Sequence, residues 1–324
     1  MNKPIAIIAG EPNSISSEII FKSWKLRKKY FYKPFFVIGS YNLFKLQKKK
    51  LKYSLKIKKI KRDFSSKDLH GNKLLIYNVE YGQKKSFENI STKSNKYIFN
   101  CFNIAISLAK AKKISGIINC PISKETLFKN RHRGITEFLA EKAKKRGSEV
   151  MLIYSKKFSV APLTTHIEIK NISKKINQKE IIKKIKIINS FYKSRLKKTP
   201  VIGILGLNPH NFSTNKKNDE TKKIISAIKF LKKLKIKIKG PISPDTSFML
   251  MNKYNFDVLF GMYHDQVLTS FKALFSFEAI NITLGLPYIR ISPDHGVAKD
   301  ITGKNIANPN SLVQAIKFFN RIKF

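Results

Sequence analysis

The chain alternates short apolar runs with longer segments in which apolar residues recur every three or four positions. The short runs predict strands and the longer segments predict helices, because these spacings place apolar side chains on one face of each element. The predicted strands are 3–10, 35–40, 116–121, 149–155, 200–206 and 256–261. The predicted helices are 16–29, 94–113, 136–146, 178–194, 219–235 and 310–322. This alternation is typical of an α/β protein with a mostly parallel sheet covered by helices.

Two segments depart from the alternation. Residues 45–62 are dense in lysine and predict a solvated hairpin or the edge of a sheet. Residues 281–309 are dense in Gly, Pro and polar turn residues, which leaves little room for an ordinary helix.

Length and composition indicate a globular protein. The chain has 324 residues with a hydrophobic fraction of 42%, enough for one large α/β domain or two lobes with a sizeable core. No apolar run is long enough to cross a bilayer, and the start of the chain lacks the features of a signal peptide. Cys101 and Cys120, the only cysteines, lack the spacing of a metal site. We therefore expect a cytoplasmic protein.

The formal net charge is +45. The charge is mainly lysine, which occurs together with abundant Ile and Asn. All three residues have A/T-rich codons, so we interpret much of the charge as genomic composition bias on solvated surfaces. Nucleic-acid readers favour Arg for bidentate contacts, and no binding motif is present. We therefore expect no membrane or nucleic-acid partner, although a general attraction for anionic substrates remains compatible with this charge.

Three apolar runs each end on a histidine. SVAPLTTH ends at His166, VIGILGLNPH at His210 and DVLFGMYH at His264. The carboxyl ends of parallel strands line the ligand crevice of an α/β sheet, so three neutral imidazoles there predict a divalent-metal site with an open position. Asp245 and Asp265 would orient these imidazoles or cap helices. The alternative is that each histidine only caps a helix or stabilises a loop.

Three polar residues in the last third of the chain are suited to an anionic group. Lys272, Asn281 and Arg290 could hold a phosphate or a carboxylate, arginine through its fork and lysine as a point charge. Arg290 is the strongest of the three, because arginine is scarce in this chain and here closes an apolar strand, LPYI. The alternative for each is an ordinary surface role.

The motifs resemble one known family. GEPNSISSE, CPISK, GITEF, TTH, GLNPH, PDTSF, YHDQ, NITLGLPYIR and DHGVAKDITGK occur in an order and spacing similar to those of 4-hydroxythreonine-4-phosphate dehydrogenases of pyridoxal 5′-phosphate synthesis. The resemblance covers residues 4–320, and GLNPH, YHDQ and NITLGLPYIR are specific in combination. The segment HGVAKDITGKNIANP also resembles the nicotinamide-cofactor loop of isocitrate and isopropylmalate dehydrogenases.

The resemblance implies a fold and an assembly. The fold would be isocitrate-dehydrogenase-like α/β, with two lobes and a cleft between them. The lobes would comprise 1–135 with 291–324, and 136–290. The protein would be a homodimer with its active site at the subunit interface.

The resemblance also implies residue roles. His166, His210 and His264 would hold one divalent metal ion such as Zn²⁺, Mg²⁺, Mn²⁺ or Co²⁺. The substrate would be contacted by Thr136, Lys272, Asn281 and Arg290. NAD or NADP would be bound by His295, Gly296 and the stretch to Asn308. Lys272 and Asp245 are the candidates for the general acid and base.

The implied reaction is the NAD(P)-dependent oxidation of 4-phosphohydroxy-L-threonine. The product, 2-amino-3-oxo-4-phosphooxybutanoate, would lose CO₂ to give 3-amino-2-oxopropyl phosphate. The bound metal would lower the pKa of the substrate hydroxyl and stabilise the enolate.

The sequence departs from the family pattern at two places. The family has a histidine before the Thr of GITEF, where this chain has Ile135, so one polar substrate contact is missing. His132, three residues upstream, is a possible substitute. Ser14 and Ser16 stand in a turn that is glycine-rich in the family, which predicts a locally different backbone because serine disfavours positive φ.

Three alternatives stay open. One is a dehydrogenase of another phosphorylated four-carbon hydroxy acid, which Ile135 would favour. Another is a catalytically weakened relative that keeps the fold and the metal, against which the intact histidines and Arg290 argue. The last is a basic nucleic-acid-binding protein, which retention on heparin would support.

Overall fold

The computed structural model describes residues 3–30, 33–61, 63–69, 71–128, 134–209 and 219–323. These residues form two compact units. The first contains residues up to 135 together with 287–322, and the second contains 136–286 and the extreme C-terminus. Within the described ranges, no helix has both the length and the apolar character needed to cross a membrane.

The first unit contains a parallel sheet. Its strands are β1 (Ile5–Ile8), β2 (Phe35–Gly39), β3 (Lys56–Ile60), β4 (Lys73–Asn78), β5 (Gly116–Asn119) and β12 (Arg290–Pro293). The spatial order is β3-β4-β2-β1-β5-β12, and every pairing between these neighbours is parallel. The central strands β1, β2 and β5 are buried along their whole length, as expected of a sheet covered on both faces.

Helices connect and cover these strands. They are α1 (Ser16–Lys25), α2 (Arg27–Tyr30), α3 (Tyr41–Lys50), α4 (Asn95–Lys110), α5 (Lys124–Phe128) and α12 (Asn310–Arg321). Helix α12 shows why the sequence folds this way, because its apolar residues share one buried face that includes Leu312, Ile316 and Phe319.

The second unit contains a mixed sheet. Its strands are β6 (Val150–Tyr154), β7 (Ser159–Thr164), β8 (Ile202–Leu205), β9 (Ile238–Ile242), β10 (Val258–Tyr263) and β11 (Ile280–Leu284). The order is β11-β6-β7-β10-β8-β9. The β11–β6 and β6–β7 pairs are antiparallel, whereas β7, β10, β8 and β9 run parallel. The carboxyl ends of β7, β10 and β8 therefore lie side by side.

The helices of this unit are α6 (Ile135–Lys142), α7 (Ile172–Lys175), α8 (Gln178–Phe191), α9 (Asp219–Lys233), α10 (Met251–Tyr254) and α11 (His264–Phe275). Helix α11 packs its buried face into an apolar cluster with the strands, through Val267, Leu268 and Phe271. The ring of Phe271 lies 6.3 Å from that of Phe158 on the approach to β7. This packing fixes the helix that begins at His264.

The expected α/β class, with a mostly parallel sheet flanked by helices, is confirmed, and each of the twelve predicted elements matches a helix or strand of the same type. The predicted hairpin at 45–62 is wrong. Its first half continues α3, which buries Leu43, Phe44 and Gln47. Its second half is β3, which lies at the edge of the sheet. This agrees with the other prediction for the segment, the edge of a sheet. The expectation of no ordinary helix over 281–309 is confirmed.

The turn after β1 accommodates its serines without strain. Among the described residues of this turn, positive φ occurs at Gly10, where φ is 76° and an added Cβ would lie 2.4 Å from the Pro121 carbonyl oxygen. Ser14 and Ser16 have negative φ. The Ser14 hydroxyl donates to the Glu11 carbonyl at 2.7 Å and lies 2.8 Å from the Ser16 hydroxyl, so the serines close the turn themselves.

Both cysteines are structural. Cys101 and Cys120 are free and buried. Burial raises the pKa of each thiol, so neither is activated as a nucleophile.

Candidate functional site

The fold brings two of the three predicted metal ligands together. Strands β7 and β10 are parallel neighbours with Thr164 opposite Tyr263, and the Thr164 hydroxyl donates to the Met262 carbonyl at 2.8 Å. His264 follows β10 directly, and His166 follows β7 after one residue, Thr165. Their ring centres lie 6.0 Å apart.

His264 occupies the junction between a strand and a helix. Strand β10 ends at Tyr263, and α11 begins at His264 with Tyr263 as its N-cap residue, which makes no side-chain cap hydrogen bond. His264 and Asp265 therefore stand in the first turn of the helix and do not cap it. The imidazole Nδ1 of His264 lies 2.7 Å from Asp265 Oδ1. Because a carboxylate only accepts, Nδ1 carries the proton and Nε2 is left as a lone-pair donor.

His166 faces a carboxylate from a different element. Glu137, in the first turn of α6, has its Oε1 atom 3.7 Å from His166 Nδ1. The Thr165 hydroxyl donates to the same oxygen at 3.3 Å. Burial would raise the pKa of Glu137, but the His166 imidazole and the Thr165 hydroxyl outweigh it and the pKa is lowered. Glu137 is therefore a carboxylate at neutral pH.

The two described imidazoles fit a shared metal ion. Two imidazoles bound to one ion through nitrogen at about 2.0–2.1 Å keep their ring centres within roughly 6.5 Å of each other, a condition that the His166–His264 pair meets. His210 lies outside the described residues. Within the described part of the chain, no group of three His, Cys, Asp or Glu side chains is arranged to hold a metal.

Gln266 connects the His264 turn to the segment that leads to His210. Its Oε1 accepts from the Met262 amide at 2.7 Å. Its Nε2 donates to the carbonyls of Gly206 at 2.8 Å and Leu207 at 3.3 Å, directly after β8. One side chain thus ties the ends of β10 and β8 together.

Replacing Gln266 by leucine is expected to destabilise the protein by about 1–3 kcal/mol, because buried backbone groups lose their partners. Urea denaturation followed by circular dichroism measures this loss. The Gln266→Glu variant is the matched control, because it keeps the acceptor for Met262 and removes the donor to the two carbonyls. A Gln266→Leu variant as stable as the wild type would contradict this role.

The predicted substrate residues of the second unit lie in different environments. Thr136 is 5% exposed, and its hydroxyl lies 3.3 Å from that of Thr283 on β11. Asn281 stands on the same strand, and its Oδ1 atom is buried without a hydrogen-bond partner among the described residues. An unsatisfied buried amide oxygen fits a ligand contact.

The two candidates for acid–base chemistry are both exposed. Lys272 lies two turns along α11 from His264, a rise of about 12 Å. The Asp245 carboxylate accepts from the Ser243 hydroxyl at 2.7 Å. The position of Lys272 and the hydrogen bond of Asp245 do not by themselves assign a catalytic role to either residue.

In the first unit, Arg290 is buried and not on the surface. The prediction that it closes a strand formed by LPYI is wrong, because Arg290 is the first residue of β12. It is 0% exposed, and its Nε donates to Asn119 Oδ1 at 2.7 Å. The strand pairing explains the contact, because Arg290 lies opposite Ile117, two residues before Asn119.

Tyr288, two residues before Arg290, has a buried hydroxyl without a partner among the described residues, and burial raises the pKa of this hydroxyl to about 12. Ile135 is also buried, with 8% exposed, and His132 lies outside the described residues.

In the predicted cofactor segment, His295 and Gly296 are available for a ligand contact, whereas the side chain of Asn308 already makes a hydrogen bond within the protein. His295 Nε2 is buried without a partner among the described residues, and burial lowers the pKa of its imidazole. A Cβ added to Gly296 would meet nothing within 4 Å, so there is room beside the backbone for a ligand. Asn308, by contrast, uses its Oδ1 to accept from the Asn310 amide at 2.8 Å, at the start of α12.

Sequence reasoning gave no role to Glu137, Thr165, Gln266 or Tyr288. GITEF, TTH, YHDQ and NITLGLPYIR contain all four. The sequence signal for these residues was their position next to predicted site residues in the motifs. Their hydrogen-bond partners, however, depend on the strand order, which the sequence alone does not give.

Comparison with known proteins places the chain in one family. The family model described as "Pyridoxal phosphate biosynthetic protein PdxA" matches residues 31–319. A 4-hydroxythreonine-4-phosphate dehydrogenase of Sulfurihydrogenibium sp. (strain YO3AOP1) is 38% identical over 321 residues, covering 97% of this chain and 96% of the relative. An Oceanobacillus iheyensis relative, provisionally named a D-threonate 4-phosphate dehydrogenase, is 32% identical over 320 residues, covering 97% and 96%.

The structure agrees with the sequence relationship. The solved structure of 4-hydroxythreonine-4-phosphate dehydrogenase from Klebsiella pneumoniae aligns with a TM-score of 0.83 at 26% identity, covering 98% of each chain. Because the family model and the relatives match along nearly the whole length, the chain belongs to the family of the pyridoxal phosphate biosynthetic protein PdxA.

Proposed function

We propose that the chain oxidises 4-phosphohydroxy-L-threonine with NAD or NADP in a metal-dependent reaction of pyridoxal 5′-phosphate synthesis. The observation that carries the proposal is the pair of imidazoles, His166 and His264, at the ends of two adjacent parallel strands in a member of this family. Three relatives that match along nearly their whole length and are named 4-hydroxythreonine-4-phosphate dehydrogenase support the choice of substrate.

The reaction removes a hydride from C3 of the substrate and a proton from its C3 hydroxyl, which gives 2-amino-3-oxo-4-phosphooxybutanoate and the reduced nicotinamide. This β-keto acid loses CO₂ and takes up a proton to give 3-amino-2-oxopropyl phosphate. A bound divalent ion would acidify the hydroxyl and stabilise the negative charge left by decarboxylation.

His166, His210 and His264 would hold the ion. Asp265 keeps the proton of His264 on Nδ1, so Nε2 is presented as the metal-binding atom. His166 and His264 follow parallel strands of the second unit, which places these two ligands on a rigid part of it.

Thr136, Lys272, Asn281 and Arg290 would bind the substrate. The cationic side chains would attract its phosphate and carboxylate, and the free Asn281 oxygen would accept from a substrate N–H or O–H group. Lys272 and Asp245 are proposed for proton transfer.

His295 and Gly296 would contact the nicotinamide cofactor, with Asn308 fixing the end of this segment. The protein would act as a cytoplasmic homodimer, with residues of both subunits completing each site.

D-threonate 4-phosphate is the second candidate substrate. It carries a hydroxyl at C2 where 4-phosphohydroxy-L-threonine carries an ammonium group, so the two differ in hydrogen bonding and charge beside the reacting carbon. Ile135 is the observation that favours it. This residue removes one polar contact of the family pattern, and a relative provisionally named for this substrate is 32% identical.

Purified protein with Co²⁺ or Zn²⁺ is expected to reduce NAD or NADP when 4-phosphohydroxy-L-threonine is added. The absorbance of the reduced nicotinamide measures the rate, and D-threonate 4-phosphate is assayed in parallel. The His210→Ala variant should lose the turnover. A higher kcat/KM for D-threonate 4-phosphate would overturn the first choice of substrate. In that case, Ile135→His should shift the preference back.

A further inference from the structure

We infer that Glu137 is a positioning residue that holds His166 in the tautomer and orientation required to bind the metal. The inference rests on the proposed function, because it assumes that His166 is a ligand. It concerns only residues of the second unit that the structure describes, namely Glu137, Thr165 and His166.

The first observation is that two unsatisfied atoms lie in one small site. His166 Nδ1 is buried and has no hydrogen-bond partner among the described residues, and the same is true of Glu137 Oε2. The other oxygen of this carboxylate, Oε1, lies 3.7 Å from Nδ1, slightly beyond a hydrogen bond. A small rotation of either side chain would bring the donor and acceptor together, and contacts of this kind often tighten when the site is loaded.

The second observation is that the carboxylate is itself held in place. The Thr165 hydroxyl donates to Glu137 Oε1 at 3.3 Å, and Thr165 directly precedes His166. Glu137 also stands in the first turn of α6, where the helix dipole favours a negative charge. The acceptor is therefore held by a hydrogen bond and favoured as an anion before a metal arrives.

The third observation is a parallel at the other described ligand. His264 Nδ1 faces Asp265 Oδ1 at 2.7 Å, so both imidazoles have a carboxylate on the Nδ1 side. With Nδ1–H directed at a carboxylate, each ring presents Nε2 to the ion. The two carboxylates differ in environment, because the side chain of Glu137 is 25% exposed and that of Asp265 is 75% exposed. Water screens an exposed partner more strongly, so Glu137 should contribute more than Asp265.

Titration of the full-length metal-free protein with Co²⁺ alone tests the inference. Isothermal calorimetry gives the affinity, and the visible absorption of bound Co²⁺ reports the ligand geometry. The Glu137→Gln variant is expected to bind about 10–100-fold more weakly with an altered spectrum, and Asp265→Asn should lose less. Glu141→Gln, an exposed carboxylate one turn further along α6, should bind like the wild type.

The outcomes separate the inference from the proposed function. If the wild type binds Co²⁺ and Glu137→Gln binds it equally well with the same spectrum, Glu137 has no positioning role and the metal site stands. If the wild type binds no metal, both are overturned. If Glu137→Gln lowers the thermal stability but leaves the affinity and spectrum unchanged, its role is structural and the inference fails. Restored affinity in Glu137→Asp would support a carboxylate requirement.

Discussion

Replacing His264 by alanine is expected to lower the affinity for a divalent cation by more than about 100-fold and to remove metal-dependent turnover. Residues that only orient a metal ligand already contribute about 10–100-fold to affinity, and loss of a ligand should exceed that. The fold should tolerate the change, because the His264 side chain is 33% exposed and its hydrogen bond is to the exposed Asp265. Calorimetric titration with Co²⁺ measures the affinity, and nicotinamide reduction measures the turnover.

The His295→Ala variant is the control for this experiment. His295 lies in the predicted cofactor segment, so its loss should weaken NAD(P) binding and leave the Co²⁺ affinity unchanged. Wild-type Co²⁺ affinity in His264→Ala would show that the imidazole at the end of β10 is not a ligand.

Replacing Phe271 by alanine is expected to lower the free energy of unfolding by about 3–5 kcal/mol, as for other large buried aromatic residues. Phe271 is 0% exposed. Its ring lies 6.3 Å from that of Phe158 and 4.7 Å from that of Phe275. The cavity would loosen α11 against the sheet, and because this helix begins at His264, the affinity for Co²⁺ should fall as well. Urea denaturation and Co²⁺ titration measure the two effects.

Leu274→Ala provides the comparison on the same helix. Leu274 is 59% exposed, so its truncation should change the stability by less than about 0.5 kcal/mol. Equal losses in the two variants would mean that α11 is not fixed by the apolar cluster beneath it.

The positions of His166 and His264 were predictable because they depend on local patterns. Each follows an apolar run, and the carboxyl ends of parallel strands share one edge of a sheet. The ring separation was not predictable, because β7 and β10 are neighbours in space but distant in sequence. His210 follows the third strand of this group and lies outside the described residues.

The supporting residues were missed for the same reason. Gln266 donates hydrogen bonds to carbonyls after β8, and the Glu137 carboxylate faces a histidine after β7. Both sets of partners therefore depend on the strand order. Arg290 was predicted as an anion-binding side chain, but its burial and its bond to Asn119 depend on the pairing of β12 with β5. A single sequence does not reveal which strands become neighbours.

Helix α3 was missed for a different reason. Lysine makes up much of its last turn, where Lys48, Lys49 and Lys50 follow one another, so the polar face dominates the pattern. Two of its apolar residues, Leu43 and Phe44, are buried and dock the helix. In a chain with this composition, a lysine-rich segment is weak grounds for predicting irregular structure.

The outermost strand β3 gives the lysine enrichment a physical consequence for solubility. An edge strand has backbone groups free to pair with the edge of another molecule, which promotes aggregation. Lys56, Lys58 and Lys59 occupy three of the five positions of β3 and are exposed. A second copy approaching this edge would bring like charges together. A compositional bias that is neutral elsewhere on the surface therefore keeps separate molecules apart at this edge of the sheet, where they could otherwise join strand to strand.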